Sequence, residues 1–362
     1  MTDTLQPLAP GATIGILGGG QLGRMLATAA ARLGFHAHVY DPDPAAPARE
    51  TALHHTAAPY DDEAALRRFA GAVDVVTYEF ENIPPAALDA IERLAPIRPS
   101  RRSLVITRDR LKEKAFLEES GLAVAPHAPV EDMATLEEAV RRIGLPAILK
   151  TRELGYDGKG QARITTPEEL APCWEAVGRV PAVLEAVVPF EKEISVVIAR
   201  GGDGTTAAFD PAENLHEGGI LRLSKVPAAI APDLADRARA MAARVAEALG
   251  HVGVLAVEMF VTQSGLVVNE IAPRVHNSGH WTEAVCPIDQ FEQHIRAIAG
   301  WPLGRGERIA DAEMVNLLGE EVLEAPRLSR DPHLRIHLYG KSEIRPDRKM
   351  GHHTRIVPWS RG

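Results

Sequence analysis

Val254-Leu255-Ala256-Val257-Glu258-Met259-Phe260-Val261, Thr262-Gln263-Ser264-Gly265 and Leu266-Val267-Val268-Asn269-Glu270-Ile271 follow one another without a break. Two apolar, largely β-branched runs on either side of a glycine-ending turn spell a β-hairpin. A three-residue loop, Gln263-Ser264-Gly265, with a left-handed glycine forming a bulge, pairs Thr262 with Leu266. The same register sets Glu258 directly opposite Glu270 on one face. Opposed like charges destabilise a sheet. At about 4 Å and an effective dielectric of about 20 they repel by roughly 4 kcal/mol. A divalent cation removes the conflict, and Mg²⁺ is commonly held by one or two carboxylates together with substrate phosphates. The competing readings are a register that separates the pair, ion pairing with Arg274 or a lysine, and one carboxylate kept protonated.

Directly after the hairpin, Pro273-Arg274-Val275-His276-Asn277-Ser278-Gly279-His280-Trp281-Thr282 breaks the apolar periodicity. Polar loops held on a rigid scaffold are where binding groups gather. Beside two carboxylates, this loop points to chemistry on a phosphorylated or anionic substrate.

Upstream, Ala147-Ile148-Leu149-Lys150 ends a strand on a lysine, and Gly155-Tyr156-Asp157-Gly158-Lys159-Gly160-Gln161 follows. Such glycines let backbone N–H groups turn toward phosphate oxygens, with Lys150 and Lys159 supplying charge. The spacing is not that of a Walker loop. The freedom of three glycines suits a lid closing over a nucleotide; a plain hairpin turn with incidental lysines is the alternative. Val183-Leu184-Glu185-Ala186-Val187-Val188 places a carboxylate and backbone groups at a strand end, suited to an adenine edge or a ribose, and Glu193 follows within reach of a ribose hydroxyl. Solvated strand-end glutamates are the plainer reading of both.

The first hundred residues alternate short apolar runs (Thr13 to Leu17, Ala37 to Tyr40, Val73 to Tyr78) with amphipathic segments (Gln21 to Leu33, Asp61 to Ala70, Pro84 to Leu94), the pattern of parallel βαβ units. Gly18-Gly19-Gly20-Gln21-Leu22-Gly23 fits G-x-G-x-x-G between strand and helix, with Asp41 where a ribose-binding carboxylate belongs. Three readings stay open: a dinucleotide, another phosphate at the helix N-terminus, or a tight turn and nothing more.

The 362 residues exceed one ordinary core, so more than one domain is expected. A net charge of −9 with no basic run argues against a nucleic-acid partner. Two isolated cysteines, Cys173 and Cys286, form no disulfide framework or metal knuckle. Met1 to Ala12 lacks the basic start and apolar run of a signal peptide. With no 18-residue apolar stretch there is no membrane partner, and a cytoplasmic location is expected.

The order of strand-end lysine, glycine lid, strand-end glutamate and paired glutamates resembles the ATP-grasp ligases. Gly18 to Arg24, Tyr78-Glu79-Phe80-Glu81-Asn82, Gly155 to Gln161, Glu213-Asn214-Leu215-His216 and Pro273 to Thr282 narrow the resemblance to the N5-carboxyaminoimidazole ribonucleotide synthetase family of purine biosynthesis, from about Thr13 to His352. The resemblance implies an α/β and α+β chain: an ATP-grasp fold with an N-terminal Rossmann-like parallel-sheet domain. Residues 1–108 would form that domain, 109–190 a small lobe with the lid, and 191–362 a large lobe with the metal site. It implies ATP and Mg²⁺ as cofactors, bicarbonate and 5-aminoimidazole ribonucleotide as substrates, and a homodimer.

On the same grounds Glu258 and Glu270 would hold Mg²⁺. Arg110, Lys150 and Lys159, with Gly155, Gly158, Gly160 and Gln161, would serve the ATP phosphates or the lid. Glu185, Ala186, Val187, Val188, Glu193, His216 and Asn269 match nucleotide positions. Arg274, His276, Asn277 and Lys349 would face the bicarbonate and its phosphorylated form. Gln21, Leu22, Glu79, Tyr156, Asp157, Arg274, Arg348 and Lys349 would meet the ribonucleotide, Arg348 and Lys349 through its 5′-phosphate. The Rossmann-like turn then serves the ribonucleotide and no nicotinamide is expected. Leu154 stands where many relatives carry another glycine, and the chain ends soon after His352. Another ATP-grasp ligase of purine metabolism, an NAD(P)-dependent oxidoreductase and a non-catalytic binding protein are the rival functions.

Overall fold

The computed structural model describes residues 6–155 and 158–359. Four parallel strands open the chain: β1 (Thr13–Leu17), β2 (His36–Tyr40), β3 (His54–Thr56) and β4 (Val75–Tyr78), ordered β3-β2-β1-β4. The side chains of β1, β2 and β4 are largely buried on both faces, as parallel strands covered by helices require, while the edge strand β3 is more open. Helix Gln21–Arg32 turns Leu22, Met25, Leu26 and Ala29 onto the sheet. The alternation read from the sequence is therefore real βαβ winding.

A second, antiparallel sheet contains β5 (His127–Val130), β6 (Ala147–Thr151), β7 (Gln161–Ile164) and β8 (Ala182–Ala186), ordered β5-β8-β6-β7. Helix Met133–Ile143 covers it through Leu136 and Ala139. Beyond β7 come a 3₁₀ turn, Pro167–Glu169, and a short helix, Leu170–Ala176. Thr166 caps the turn, and Pro167 suits its first position.

The third sheet is antiparallel, with nine strands: β9 (Lys192–Arg200), β10 (Thr206–Ala208), β11 (Ala212–Glu217), β12 (Ile220–Val226), β13 (Gly253–Thr262), β14 (Gly265–Ala272), β15 (Asp311–Leu318), β16 (Leu334–Leu338) and β17 (Lys349–Val357). Its order is β14-β13-β9-β11-β12-β15-β17-β16, and β10 pairs with β9. Val257, Met259 and Val261 of β13 pack on one side with Ala242, Val245 and Leu249 of helix Pro232–Leu249. Val254 and Ala256 face the other side, toward Phe291 and Ile295 of helix Gln290–Ile298. Glu258 continues that second face beyond the helix, where the sheet opens into a cleft. Among the described residues, no helix is long and apolar enough to cross a membrane.

The hairpin corrects the predicted register. Thr262 pairs with Gly265 across a two-residue turn, and Met259 pairs with Val268. The ladder then shifts between Glu258 and Met259, so that Asn269 has no ladder partner and Glu258 meets Glu270. A bulge at Asn269 thus cancels the one-residue error in the loop. The expected pair stands opposed, for a reason the turn residues do not reveal.

Candidate functional site

The opposed carboxylates differ in surroundings. Glu258 is nearly enclosed, with 14% of its side chain exposed, and the neutral His276 ring lies beside it, Nε2 3.5 Å from Oε1. Burial first, then Glu270, pushes the Glu258 carboxyl up to about 7. Burial would raise Glu270 as well, but Arg110, with Nη1 3.2 Å from Oε2, and then Lys150 hold it below the usual range. Arg274 does not neutralise the pair, because its Nε lies 2.7 Å from Glu81 Oε1 instead. One carboxylate is thus matched to an arginine and its neighbour is not, which suits a pair awaiting a divalent cation.

Glu270 opens onto a cavity of about 450 Å³ assembled from six stretches of the chain. Gly20, Gln21, Leu22, Glu79, Glu81 and Asn82 line its amino-terminal side; Arg108, Arg110 and Glu113 come from the connecting helices. Arg152, Glu153, Leu154 and Gly155 form the base of the lid, Arg274, His276 and Asn277 follow the hairpin, and Lys349 begins β17. Arginines here are oriented by acids: Arg108 by Glu153 at 2.8 Å and Arg152 by Asp109 at 2.8 Å. Asn277 exchanges two amide hydrogen bonds with the buried Asn316, at 3.0 and 2.7 Å, which fixes its orientation.

The glycine turn at the cavity edge is filled from within. Helix Gln21–Arg32 has no side-chain cap of its own, and its first N–H groups would be orphaned. The Glu79 carboxylate, just beyond β4, accepts from Gly20 N–H and, at 2.7 Å, from Gly23 N–H. Asp41 accepts from Gly19 N–H at 2.6 Å and from Asp43 N–H at 2.7 Å. A Cβ on Gly20 would lie 2.6 Å from Glu79 Oε1, so the glycine admits this carboxylate. The groups a dinucleotide pyrophosphate would use are already bonded, and Asp41 buttresses the turn instead of reaching a ribose.

On the opposite flank, Glu185 is almost fully buried between Lys150 (3.0 Å) and Lys114 (3.2 Å). Burial would raise it, but Lys150, then Lys114, hold it down to about 2. Its carboxylate is committed to these lysines. Ala186 and Val187 give their N–H groups to Pro126 O and Pro146 O, at 2.8 and 3.3 Å. Glu193 and His216 are hydrogen bonded and line a second cavity, about 430 Å³. Burial works against protonation of His216, but Glu193 and Glu258 raise its pKa. The glycine-rich loop reaches the turn between β11 and β12: a Cβ on Gly158, at φ +74°, would lie 3.1 Å from the Gly218 carbonyl.

Of the residues singled out from the sequence, Gln21, Leu22, Glu79, Arg110, Gly155, Glu270, Arg274, His276, Asn277 and Lys349 share the first cavity. Glu193 and His216 share the second. Asn269 sits at the bulge. Lys150 and Glu185 pair behind the cleft. Gly158, Lys159, Gly160 and Gln161 belong to the lid and the start of β7. Arg348 does not line the first cavity, its Nη1 donating to Glu343 O at 3.0 Å. Tyr156 and Asp157 lie outside the described residues.

Sequence reasoning missed Glu113 and Lys114, which share one face of helix Arg110–Glu119 with Arg110 at three- and four-residue spacings. Glu113 accepts from Ile271 N–H at 2.6 Å, and burial, then Glu270, pushes it up to about 8. A signal was available: both charges fall on the helix face that carries Leu117, where apolar residues belong. Away from the cleft, Glu283, His337 and His352 offer ligand atoms within 4.8 Å of one another. The two imidazoles stack at 4.9 Å with planes 22° apart. Burial holds this trio neutral, with Glu283 up to about 8 and His337 down to about 4.

Comparison with known proteins agrees along the whole chain. The ribonucleotide synthetase preATP-grasp domain model matches residues 11–108, the ATP-grasp domain model residues 115–291, and the phosphoribosylaminoimidazole carboxylase C-terminal domain model residues 312–358. N5-carboxyaminoimidazole ribonucleotide synthase of Brucella melitensis biotype 1 is 50% identical over 354 residues, covering 97% of this chain and 98% of its own. N5-carboxyaminoimidazole synthetase of Staphylococcus aureus, crystallised with ADP, superposes with a TM-score of 0.93 at 37% identity, covering 98% of this chain and 95% of its own. The Aspergillus clavatus synthase, crystallised with ADP and 5-aminoimidazole ribonucleotide, gives 0.90 at 30% identity, covering 96% and 94%.

Proposed function

The chain belongs to the N5-carboxyaminoimidazole ribonucleotide synthetase family of ATP-grasp ligases, and on that premise we propose that it carboxylates 5-aminoimidazole ribonucleotide with bicarbonate at the expense of ATP. The observation that carries this reading is the shared cavity, in which the amino-terminal turn and the hairpin's Glu270, Arg274 and His276 face one space. An acceptor on the turn side would meet an activated acyl group formed on the hairpin side without crossing water.

A bicarbonate oxygen attacks the γ-phosphorus, the bond to the bridging oxygen breaks, and ADP leaves. The resulting carboxyphosphate, or the CO₂ it releases, is captured by the exocyclic amine of the imidazole, which loses a proton as phosphate departs. Phosphoryl transfer of this kind is governed by positioning and charge. Arg110, Lys150 and Lys159 would offset phosphate charge, the lid glycines would close over it, and Glu193 and His216 would meet the nucleoside. Val188 and Asn269 remain candidates for the same nucleotide, and Glu185 contributes by orienting Lys150. Arg274, held by Glu81, and Lys349 would face the bicarbonate with His276 and Asn277. Gln21, Leu22, Tyr156 and Asp157 would contact the ribonucleotide, and Arg348 its 5′-phosphate. The unmatched Glu258 beside Glu270 fits a divalent cation, which when bound would draw charge from the γ-phosphate. Residues 1–108 would supply the acceptor wall, 109–190 the lid, and 191–362 the metal pair, in a cytoplasmic homodimer.

A coupled ADP assay tests the reading. ADP release should require both bicarbonate and 5-aminoimidazole ribonucleotide. ADP formed with formate and glycinamide ribonucleotide instead would assign the chain to a different ligase.

A further inference from the structure

A row of small polar residues crosses the cleft face of the nine-stranded sheet and ends on His276. Ser224 of β12 pairs with Asn214 of β11, and Ser195 of β9 lies diagonal to Asn214 and opposite Glu258. Ser195, Ser224 and Ser278 are at most 1% exposed and Asn214 is 7% exposed. Polar groups so deep must spend their hydrogen bonds on one another.

Their order is directional. Ser224 Oγ donates to Asn214 Oδ1 at 2.7 Å, and Asn214 Nδ2, which can only donate, gives to Ser195 Oγ at 2.9 Å. Ser195 Oγ donates to Ser278 Oγ at 2.7 Å, leaving the Ser278 hydroxyl hydrogen for His276 Nδ1 at 2.8 Å. A second donor agrees independently, since the backbone N–H of Ser278 reaches the same Nδ1 at 3.3 Å and a backbone N–H cannot accept. Gln290 holds the His276 backbone from both sides, accepting from its N–H at 2.9 Å and donating to its carbonyl at 2.8 Å.

We propose that Ser224, Asn214, Ser195 and Ser278 are positioning residues that lock neutral His276 with its lone pair on Nδ1 and its hydrogen on Nε2. Nε2, the other ring nitrogen, lies 3.5 Å from Glu258 Oε1, and the His276 residue lines the first cavity. His276 therefore offers a hydrogen-bond donor at Nε2, and its one lone pair, on Nδ1, is taken up by Ser278 and is not presented as a general base. The ligand it suits is an anionic oxygen, such as that of bicarbonate or an acyl phosphate, and this assignment rests on the function proposed above. A tautomer set by the partner of the other nitrogen is a general property of imidazoles. The proton removed from the acceptor amine must then go elsewhere in the cavity or to the departing phosphate.

Nitrogen-15 spectra of the full chain labelled at histidine test the lock without reference to turnover, with the His276 signals assigned by their loss in His276→Gln. Wild type should give a lone-pair shift at Nδ1 and a protonated shift at Nε2; the opposite pattern, or an even mixture, overturns the proposal. Ser195→Ala should move His276 toward a tautomer mixture and lower kcat about tenfold with little change in the KM for ATP. Ser195→Thr, which keeps the hydroxyl, should restore both, and Asn214→Asp, which cannot donate, should not. A Ser195→Ala protein with unaltered His276 shifts overturns the relay. Failure of the wild type to release ADP with bicarbonate and the ribonucleotide would instead overturn the function and leave the tautomer readable.

Discussion

At the amino-terminal turn, Glu79 accepts the N–H groups of Gly20 and Gly23, and Asp41 accepts that of Gly19. At the hairpin, Glu258 faces Glu270, and Arg110 pairs with Glu270 alone. Both corners set carboxylates close to groups that attract ligands, yet the first is satisfied by the protein and the second is not. A motif whose donors are already bonded acts as a wall of the site. A pair left in repulsion is where a ligand gains most, because binding relieves a conflict the fold has already accepted.

This contrast can be broken at either corner. Replacing Glu270 by Gln should have the largest effect, lowering ADP formation by about a hundredfold or more with the fold intact by circular dichroism. Near-normal turnover would remove the glutamate pair from the mechanism. Glu79→Ala should act mainly on stability, since it strands two N–H groups, at a cost of about 1–3 kcal/mol. Urea unfolding would measure it, and an unchanged midpoint would mean that solvent or a ligand serves those N–H groups instead.

The third effect is absent near neutrality and grows on acidification, away from both corners. Burial pushes His251 down to about 4 and His294 to about 3. Their folded values lie below the unfolded one near 6.5, so the unfolded chain takes up protons first as pH falls. The stability these neutral imidazoles contribute is whole above about pH 6.5 and is lost progressively below it. Thermal melts from pH 7 to 5 should show the fall, and His294→Gln should flatten it. A slope unchanged in that variant would place the acid sensitivity elsewhere.

Much of the site was legible because local chemistry sufficed. The opposed glutamates need only a hairpin and a count of residues. The hairpin count was right in outcome although its turn was one residue shorter than expected, because Asn269 bulges out of the ladder. No propensity marks that bulge; it is settled by pairing on both flanks of β13. β17 was illegible for a related reason, since Lys349-Met350-Gly351-His352-His353 lacks apolar alternation and is a strand because β15 and β16 pair with it on either side.

Taken alone, the sequence determined the parallel opening unit and the family, since those rest on short-range periodicity and contiguous motifs. Tertiary structure decided that Glu79 caps the glycine turn, that Lys114 joins Lys150 on Glu185, and that Asn214 and Ser195 reach His276. Each of these joins residues far apart in the chain, and burial gives them their force: away from water, a polar group must find its partner in whatever the fold brings near.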